Sequence, residues 1–159
     1  ISKLGNHKYL SLRGCDKIKK IENLANIHTL DLSWCESIQD ISPLVNVYNL
    51  DVSCCPFIEI NKKINTTIFK AISTTLINND FIFLKNIKNL NIRNCEYITD
   101  LSLLDNIEIL DIRGCKNIQF LPHKTNLKKI YLSKVLHNIE HIYTQIKNMI
   151  CKVEIDYFN

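Results

Sequence analysis

Residues 90–110 read Leu90-Asn-Ile92-Arg-Asn-Cys95-Glu-Tyr-Ile98-Thr-Asp-Leu101-Ser-Leu-Leu104-Asp-Asn-Ile107-Glu-Ile-Leu110. The apolar residues of this unit first alternate with polar ones and then recur at every third position. Alternation is typical of a strand that is buried on one face, whereas a three-residue period is typical of 3₁₀ turns or extended segments. The unit therefore predicts one short strand followed by a tight return path.

The same unit recurs along most of the chain with a period of 20 residues. Five of the seven cysteines mark this period, because consecutive members are 20 or 40 residues apart. A single coil of this length cannot bury its own apolar side chains, so neighbouring coils must stack and share one core. The columns that the period aligns are Cys15, Cys35, Cys55, Cys95 and Cys115; Leu10, Leu30, Leu50, Leu90, Leu110 and Ile130; and Leu12, Leu32, Val52, Ile92, Ile112 and Leu132.

We predict a slim solenoid with a parallel β-sheet on its concave face and 3₁₀ or extended segments on its convex face. We predict that residues 1–159 form a single domain, with repeats over about 4–133. Residues 61–80 are a degenerate repeat, since Lys70 and Asn78 fall on inward positions. A shifted register that turns Ile68, Ala71 and Leu76 inward would bury more apolar surface, so we expect a distorted coil there.

The repeat ends after Leu132, and residues 134–159 are predicted to form a C-terminal cap. The cap is predicted to consist of a helix and then a strand. The strand is indicated by Val153, Ile155 and Tyr157, which alternate with polar residues. A cap is needed because the last coil of a solenoid would otherwise expose its core. At the other end the sequence begins at Ile1 rather than Met, and we expect a processed chain or a piece of a longer one. The helical spacing rests on Leu136, Ile139, Ile142, Tyr143, Ile146 and Met149.

Composition excludes several classes of protein. The chain is 46% hydrophobic and 23% charged with a formal net charge of +4, which excludes a disordered chain. Its apolar runs are shorter than the roughly 18–20 residues of a membrane span, so we expect no membrane segment.

The repeated cysteines are predicted to be structural free thiols, with disulfides or a zinc site as the alternatives. Many unpaired cysteines indicate a reducing compartment, so we expect an intracellular location, including the cytoplasm of a host cell.

The repeat resembles the leucine-rich-repeat superfamily, whose signature contains the same L-x-L-x-x-C core. Two subtypes are similar: Cys95-Glu-Tyr-Ile-Thr-Asp100-Leu101 resembles the cysteine-containing repeats of F-box adaptor proteins. Ile38-Gln-Asp-Ile-Ser-Pro-Leu44-Val-Asn-Val47 resembles the internalin repeats of bacterial adhesins. The resemblance implies an α/β solenoid with a right-handed coil, which binds protein partners on its concave sheet face. Frequent Ile, Asn and Lys indicate an AT-rich genome, such as that of a virus.

The candidate partner-binding residues lie between and just after the core strand positions, where side chains project from the outer face of the sheet. Acidic side chains in one column stand beside arginines in the next, which predicts a charged lattice. Aromatic and arginine side chains often dominate protein interfaces. The predicted contact residues are Tyr9, Ser11, Arg13, Asp31, Ser33, Trp34, Asp51, Ser53, Asn91, Arg93, Asp111, Arg113 and Tyr131.

The sequence contains no convincing catalytic constellation. His137, Glu140 and His141 match the string H-x-x-E-H of an inverted zincin, but no third ligand is evident. Gly5, Gly14 and Gly114 are isolated, so they form no phosphate-binding loop. We therefore predict no enzymatic activity, catalytic residue, cofactor or metal. The mild charge predicts no nucleic-acid binding.

Three functional hypotheses follow. The first is an intracellular adaptor or recognition protein, of viral origin and directed at host proteins, that binds a protein partner. The second is an extracellular internalin-like adhesin. The third, metal-dependent hydrolysis, rests only on the H-x-x-E-H string.

Overall fold

The structure, a computed structural model, describes residues 7–84, 86–123, 126–133, 138–149 and 154–158. It is a parallel-strand solenoid in which the chain returns to one sheet about every 20 residues. One α-helix, α1 (Ile139–Lys147), lies between the last two strands. The strands are β1 (Tyr9–Ser11), β2 (Thr29–Asp31), β3 (Asn49–Asp51), β4 (Ile68–Lys70), β5 (Asn89–Asn91), β6 (Ile109–Asp111), β7 (Lys129–Ser133) and β8 (Glu154–Phe158).

The eight strands form one parallel sheet in sequence order. Corresponding residues of neighbouring coils pair directly, as Leu10 does with Leu30 and Leu30 does with Leu50. The middle residue of each three-residue strand points into the core, and from β2 to β6 it is at least 98% buried. Because side chains alternate along a strand, the first and third residues lie on the opposite, outer face of the sheet. The parallel solenoid with repeats about 20 residues apart is thus confirmed.

We call the part of each coil between the cysteine position and the next strand the back of the solenoid. It is built from turns, a 3₁₀ turn at Glu22–Leu24, a 3₁₀ helix at Asn78–Phe83 and two isolated parallel bridges. The bridges join Asp40 to Glu59 and Asp100 to Phe120. Three-residue periodicity suits these segments, since each third residue turns inward.

The fourth coil departs from the regular spacing. Its strand comes one residue early, so that Phe69 pairs with both Leu50 and Leu90. Ala71 and Leu76 are fully buried, as the shifted register predicts. The prediction for Ile68 was wrong: it is only half-buried, because it is the first residue of the strand and faces outward, and Phe69 fills the core instead.

Helix α1 covers the end of the core. Its Ile142 and Ile146 are buried, whereas Ile139 and Met149 pack against the core and remain partly exposed. Gln145 connects the helix to the preceding coil by a hydrogen bond, in which its Oε1 accepts the Leu121 N–H at 2.8 Å. Strand β8 then pairs with β7 in parallel. Several sequence-based predictions lie outside the described residues, namely those on Ile1, Leu136, His137, Cys151 and Val153.

Candidate functional site: the outer face of the sheet

The acidic column at the ends of the strands shapes the turns that follow. The Oδ1 atom of Asp31 accepts the backbone N–H of Ser33 at 2.9 Å, two residues further along the chain. Asp51, Asn91 and Asp111 make the same contact in their own coils at 3.0–3.3 Å. A side chain that satisfies its own turn in this way is an Asx-type turn. The column therefore supports the fold as well as facing outward.

Three predicted contact residues present little surface to a partner. Ser33, Ser53 and Asp111 are 1%, 7% and 5% exposed. The Ser33 hydroxyl donates to Asp31 at 2.6 Å, and the Ser53 hydroxyl oxygen accepts the Ile72 N–H at 3.2 Å. Ser33 and Ser53 follow their strands and are held by hydrogen bonds at the turn, whereas Asp111 is buried against Arg113.

The surroundings of Asp31 favour the charged form of its carboxyl group. Partial burial alone would raise the pKa of Asp31. Hydrogen bonds from Ser33 and Ser11, together with the nearby Arg13 guanidinium, outweigh that effect and lower the pKa below its ordinary value. The carboxylate is therefore charged and already hydrogen-bonded at neutral pH.

The three arginines of the predicted charged lattice have different surroundings. Arg113 makes two hydrogen bonds to Asp111, and its guanidinium lies 5.1 Å from the centre of the Tyr131 ring. Arg13 is exposed and donates to Ser33 Oγ at 3.2 Å. The Nε atom of Arg93 is buried and has no hydrogen-bond acceptor among the described residues. Reversing the charge at Arg113 would thus leave a buried carboxylate unpaired.

Exposed aromatic side chains lie in or near the first three strands. Tyr9 and Trp34 are 61% and 49% exposed. Tyr48, which was not predicted from the sequence, is 43% exposed and stacks on the His28 ring at a centroid distance of 4.8 Å. Most of the first strand column was not predicted either, although period-two alternation around the buried leucines indicates it. That column is Tyr9, Thr29, Asn49, Ile68, Asn89, Ile109 and Lys129.

Trp34 has an unusual backbone conformation. Its φ is 64°, in the left-handed region, which costs an L-residue roughly 1–2 kcal/mol. The residue before the cysteine position adopts this conformation in each of the first six coils, and elsewhere it is a small or polar residue. Trp34 is the bulky exception in this column. Its large side chain occupies a position at which glycine would cause the least backbone strain. The other members of this column are Gly14, Cys54, Ser73, Asn94 and Gly114.

The repeated cysteines are hydrogen-bond donors in the stack. The thiol of Cys35 donates to the Leu12 carbonyl of the preceding coil at 3.0 Å, and Cys115 donates to Ile92 at 2.9 Å. Cys55 and Cys95 make the same contact at 3.2 and 3.1 Å. Backbone amides of the preceding coil also reach these sulfur atoms, as that of Cys15 reaches Cys35 and that of Cys95 reaches Cys115. We call these four residues the ladder cysteines.

All six described cysteines are free thiols. Burial raises the pKa of Cys55 and of Cys115 to about 12, and it also raises the pKa of Cys35 and Cys95. These thiols stay protonated at neutral pH and are poor nucleophiles. Cys54, which did not fit the cysteine period, occupies the left-handed position described above and is half-buried.

Alkylation of the native protein tests this arrangement. With Cys151 replaced by Ser, iodoacetamide at about pH 8 should modify Cys15 and Cys54 and spare the four ladder cysteines, since only exposed thiolates react quickly. Peptide mapping by mass spectrometry locates the modified sites, and the urea-unfolded protein is the control for full reactivity. Rapid modification of Cys55 or Cys115 in the folded state would contradict the assigned core position.

The described residues contain no group of three side chains able to hold a metal ion. Helix α1 begins at Ile139, so Glu140 and His141 are both exposed in its first turn. His137, the remaining residue of the H-x-x-E-H string, lies outside the described residues. No helix within the described ranges combines the length and apolar character of a membrane span.

The outer face is therefore a mostly polar sheet surface, with exposed aromatic side chains in or near the first three strands. Its charged residues are largely engaged with one another, as in the Arg113–Asp111 pair. Comparison of the chain with protein-family models, curated proteins and solved structures finds no match.

Proposed function

We propose that the chain is a leucine-rich-repeat solenoid that binds a protein partner through the outer face of its sheet. The observation that carries this proposal is Trp34, a half-exposed tryptophan in a strained left-handed conformation. Strained residues that persist in a fold are concentrated at functional sites. Tryptophan is also among the residues that most often dominate protein interfaces.

The surroundings of Trp34 support the same conclusion. Tyr9 and the His28–Tyr48 stack add aromatic surface in the same three coils. Their backbone is held by parallel pairing on both sides of β2. A partner would bind with little ordering cost, because these side chains already stand on a fixed sheet.

The leucine-rich-repeat assignment rests on the combination of repeat length and core chemistry. The L-x-L strand, the cysteine three residues later and the inward apolar residues of the back recur in each regular coil. We further propose that the protein acts in a reducing compartment as an intracellular adaptor. The ladder cysteines support this, since each thiol uses its proton in a hydrogen bond and oxidation would remove that donor. An extracellular internalin-like adhesin is the alternative.

The proposal is tested by Trp34→Gly. Removing the indole should weaken binding of the partner at least about tenfold. Glycine relieves the left-handed strain, which offsets the lost packing of the half-buried ring, so stability should stay within about 1 kcal/mol of wild type. The partner is first captured from lysate on the immobilised wild-type protein and identified, and the dissociation constant is then measured with purified components.

The matched control is Tyr97→Ser, which removes a 64% exposed aromatic residue from the back of the solenoid. This variant should bind as wild type does. Equal affinity of wild type and Trp34→Gly for the purified partner would refute binding through the aromatic part of the sheet face. The Trp34 variant is preferable to charge reversal at Arg113, because Arg113 holds the buried Asp111.

A further inference from the structure

A groove opens on the back of the solenoid where the regular ladder of coils is interrupted. In the third coil, Glu59 forms a parallel bridge with Asp40. The fourth coil instead turns into the 3₁₀ helix Asn78–Phe83, and the next bridge starts only at Asp100. The change of path leaves a cavity of about 340 Å³ between the third and fourth coils, lined by Phe57, Glu59, Ile77 and Asp80 among others.

Two walls of the groove are apolar and exposed. Phe57 is 61% exposed and Ile77 is 48% exposed, although their neighbours Ile58 and Leu76 are fully or almost fully buried. The register shift of the fourth coil turns Leu76 inward and thereby forces Ile77 outward. The groove therefore presents an aromatic ring and a branched aliphatic side chain to solvent at one point.

Two carboxylates complete the groove, and they have no cationic partner within the described part of the chain. The Asp80 carboxylate is fixed by accepting the Ile77 N–H at 2.7 Å. The backbone of Glu59 is fixed as well, since its N–H donates to the Gln39 carbonyl at 2.7 Å. Burial raises the pKa of Asp80, and repulsion from the nearby Glu59 raises it further. A positive charge between them would offset both effects, because it favours the charged form of each carboxyl group.

We propose that this groove is a docking site for a lysine side chain carried on an apolar segment of a protein partner. The ammonium group lies between the carboxylates of Glu59 and Asp80, and the four-carbon stem lies against Phe57. A lysine combines a compact cation with an apolar stem, which matches the two kinds of wall. Hard metal ions fit less well, since Ca²⁺ takes six to eight oxygen ligands. This surface is separate from the sheet face and does not rest on binding there.

The test is an NMR titration of the ¹⁵N-labelled protein with two peptides, Ac-Leu-Lys-Leu-NH₂ and its norleucine counterpart. Norleucine preserves the aliphatic chain and lacks the ammonium group. The lysine peptide should shift the amides of Glu59, Ile77 and Asp80 with a dissociation constant of about 1–10 mM, typical of a single small contact. The norleucine peptide should bind at least about threefold more weakly, as expected for a partly exposed ion pair.

Three variants locate the interaction. Asp80→Asn retains an oxygen acceptor for the Ile77 N–H, so the fold is kept while one charge is lost. Together with Glu59→Gln it should weaken lysine-peptide binding at least about threefold, as norleucine does, because the same two ion-pair contacts are removed. Glu96→Gln, on the back of the fifth coil, is the matched control and should leave binding unchanged. An unchanged affinity in the double variant would overturn the proposal.

Other outcomes are equally decisive. Equal binding of the two peptides would show an apolar groove without a cation site. Shifts of the same amides by Ca²⁺ at lower concentrations than by the peptide would assign the groove to a metal ion. Absence of shifts at 59, 77 and 80 up to about 20 mM peptide would remove the site altogether. None of these results bears on partner binding through Trp34, which is measured separately.

Discussion

Replacing Phe69 by Ala should lower the free energy of unfolding by about 3–5 kcal/mol. Phe69 is fully buried and occupies the inward strand position of the fourth coil, between Leu50 and Leu90. Removing its ring leaves a cavity that neighbouring coils on both sides line, so the rigid stack can relax only in part. The change is measured by urea denaturation followed by circular dichroism.

The neighbouring residue provides the control. Ile68→Ala should cost less than about 1 kcal/mol, because Ile68 faces outward and is only half-buried. Leu50→Ala and Leu110→Ala, in regular coils, should each cost about 2–5 kcal/mol. If Ile68→Ala were more destabilising than Phe69→Ala, the register of the fourth strand would be wrong.

Stability should fall steeply above pH 9, and the ladder cysteines should account for part of the fall. The pKa of Cys55 and of Cys115 is about 12 in the folded protein against an ordinary value of 9.0. Between these values the unfolded chain loses both protons while the folded protein keeps them. The folded state therefore binds more protons, and its stability decreases as the pH rises, by at most about 1.4 kcal/mol per pH unit for each thiol.

The measurement is the free energy of unfolding from urea titrations at several values between about pH 8 and pH 11. The double variant Cys55→Ala/Cys115→Ala should be less stable than wild type at neutral pH, because two hydrogen bonds to carbonyl oxygens are lost. Its stability should nevertheless decline less steeply with pH. Cys54→Ala is the control, and parallel pH profiles for wild type and the double variant would contradict the assignment.

The sequence predicted the solenoid well because its signal is repeated. One alternating unit would be ambiguous, but the same apolar columns recur every 20 residues, and only stacked coils can bury them all. The fourth strand was harder to place. The change from Ile68 to Phe69 depends on pairing with Leu50 and Leu90, and such pairing is a property of three coils together.

The outer face was predicted less completely for two physical reasons. Asp111 was expected to face a partner, but its carboxylate is drawn back to its own turn and to Arg113. The left-handed position was invisible in the sequence, because residues as different as Gly114, Asn94 and Trp34 occupy it. The groove beside Asp80 arises where one coil departs from the regular pattern. A repeat consensus describes only what the coils share, so it does not predict this groove.

The thiol-to-carbonyl contacts also bear on how such a chain lengthens. Where one regular coil follows another, the first accepts a thiol hydrogen bond from the second at the carbonyl just after its strand, as Leu32 does from Cys55. An additional 20-residue copy could therefore be inserted at any junction between regular coils without creating a new kind of contact. The fourth coil accepts the Cys95 thiol at its Ala71 carbonyl but has no cysteine of its own at that place, so it separates two blocks within which a duplicated coil would repeat existing contacts.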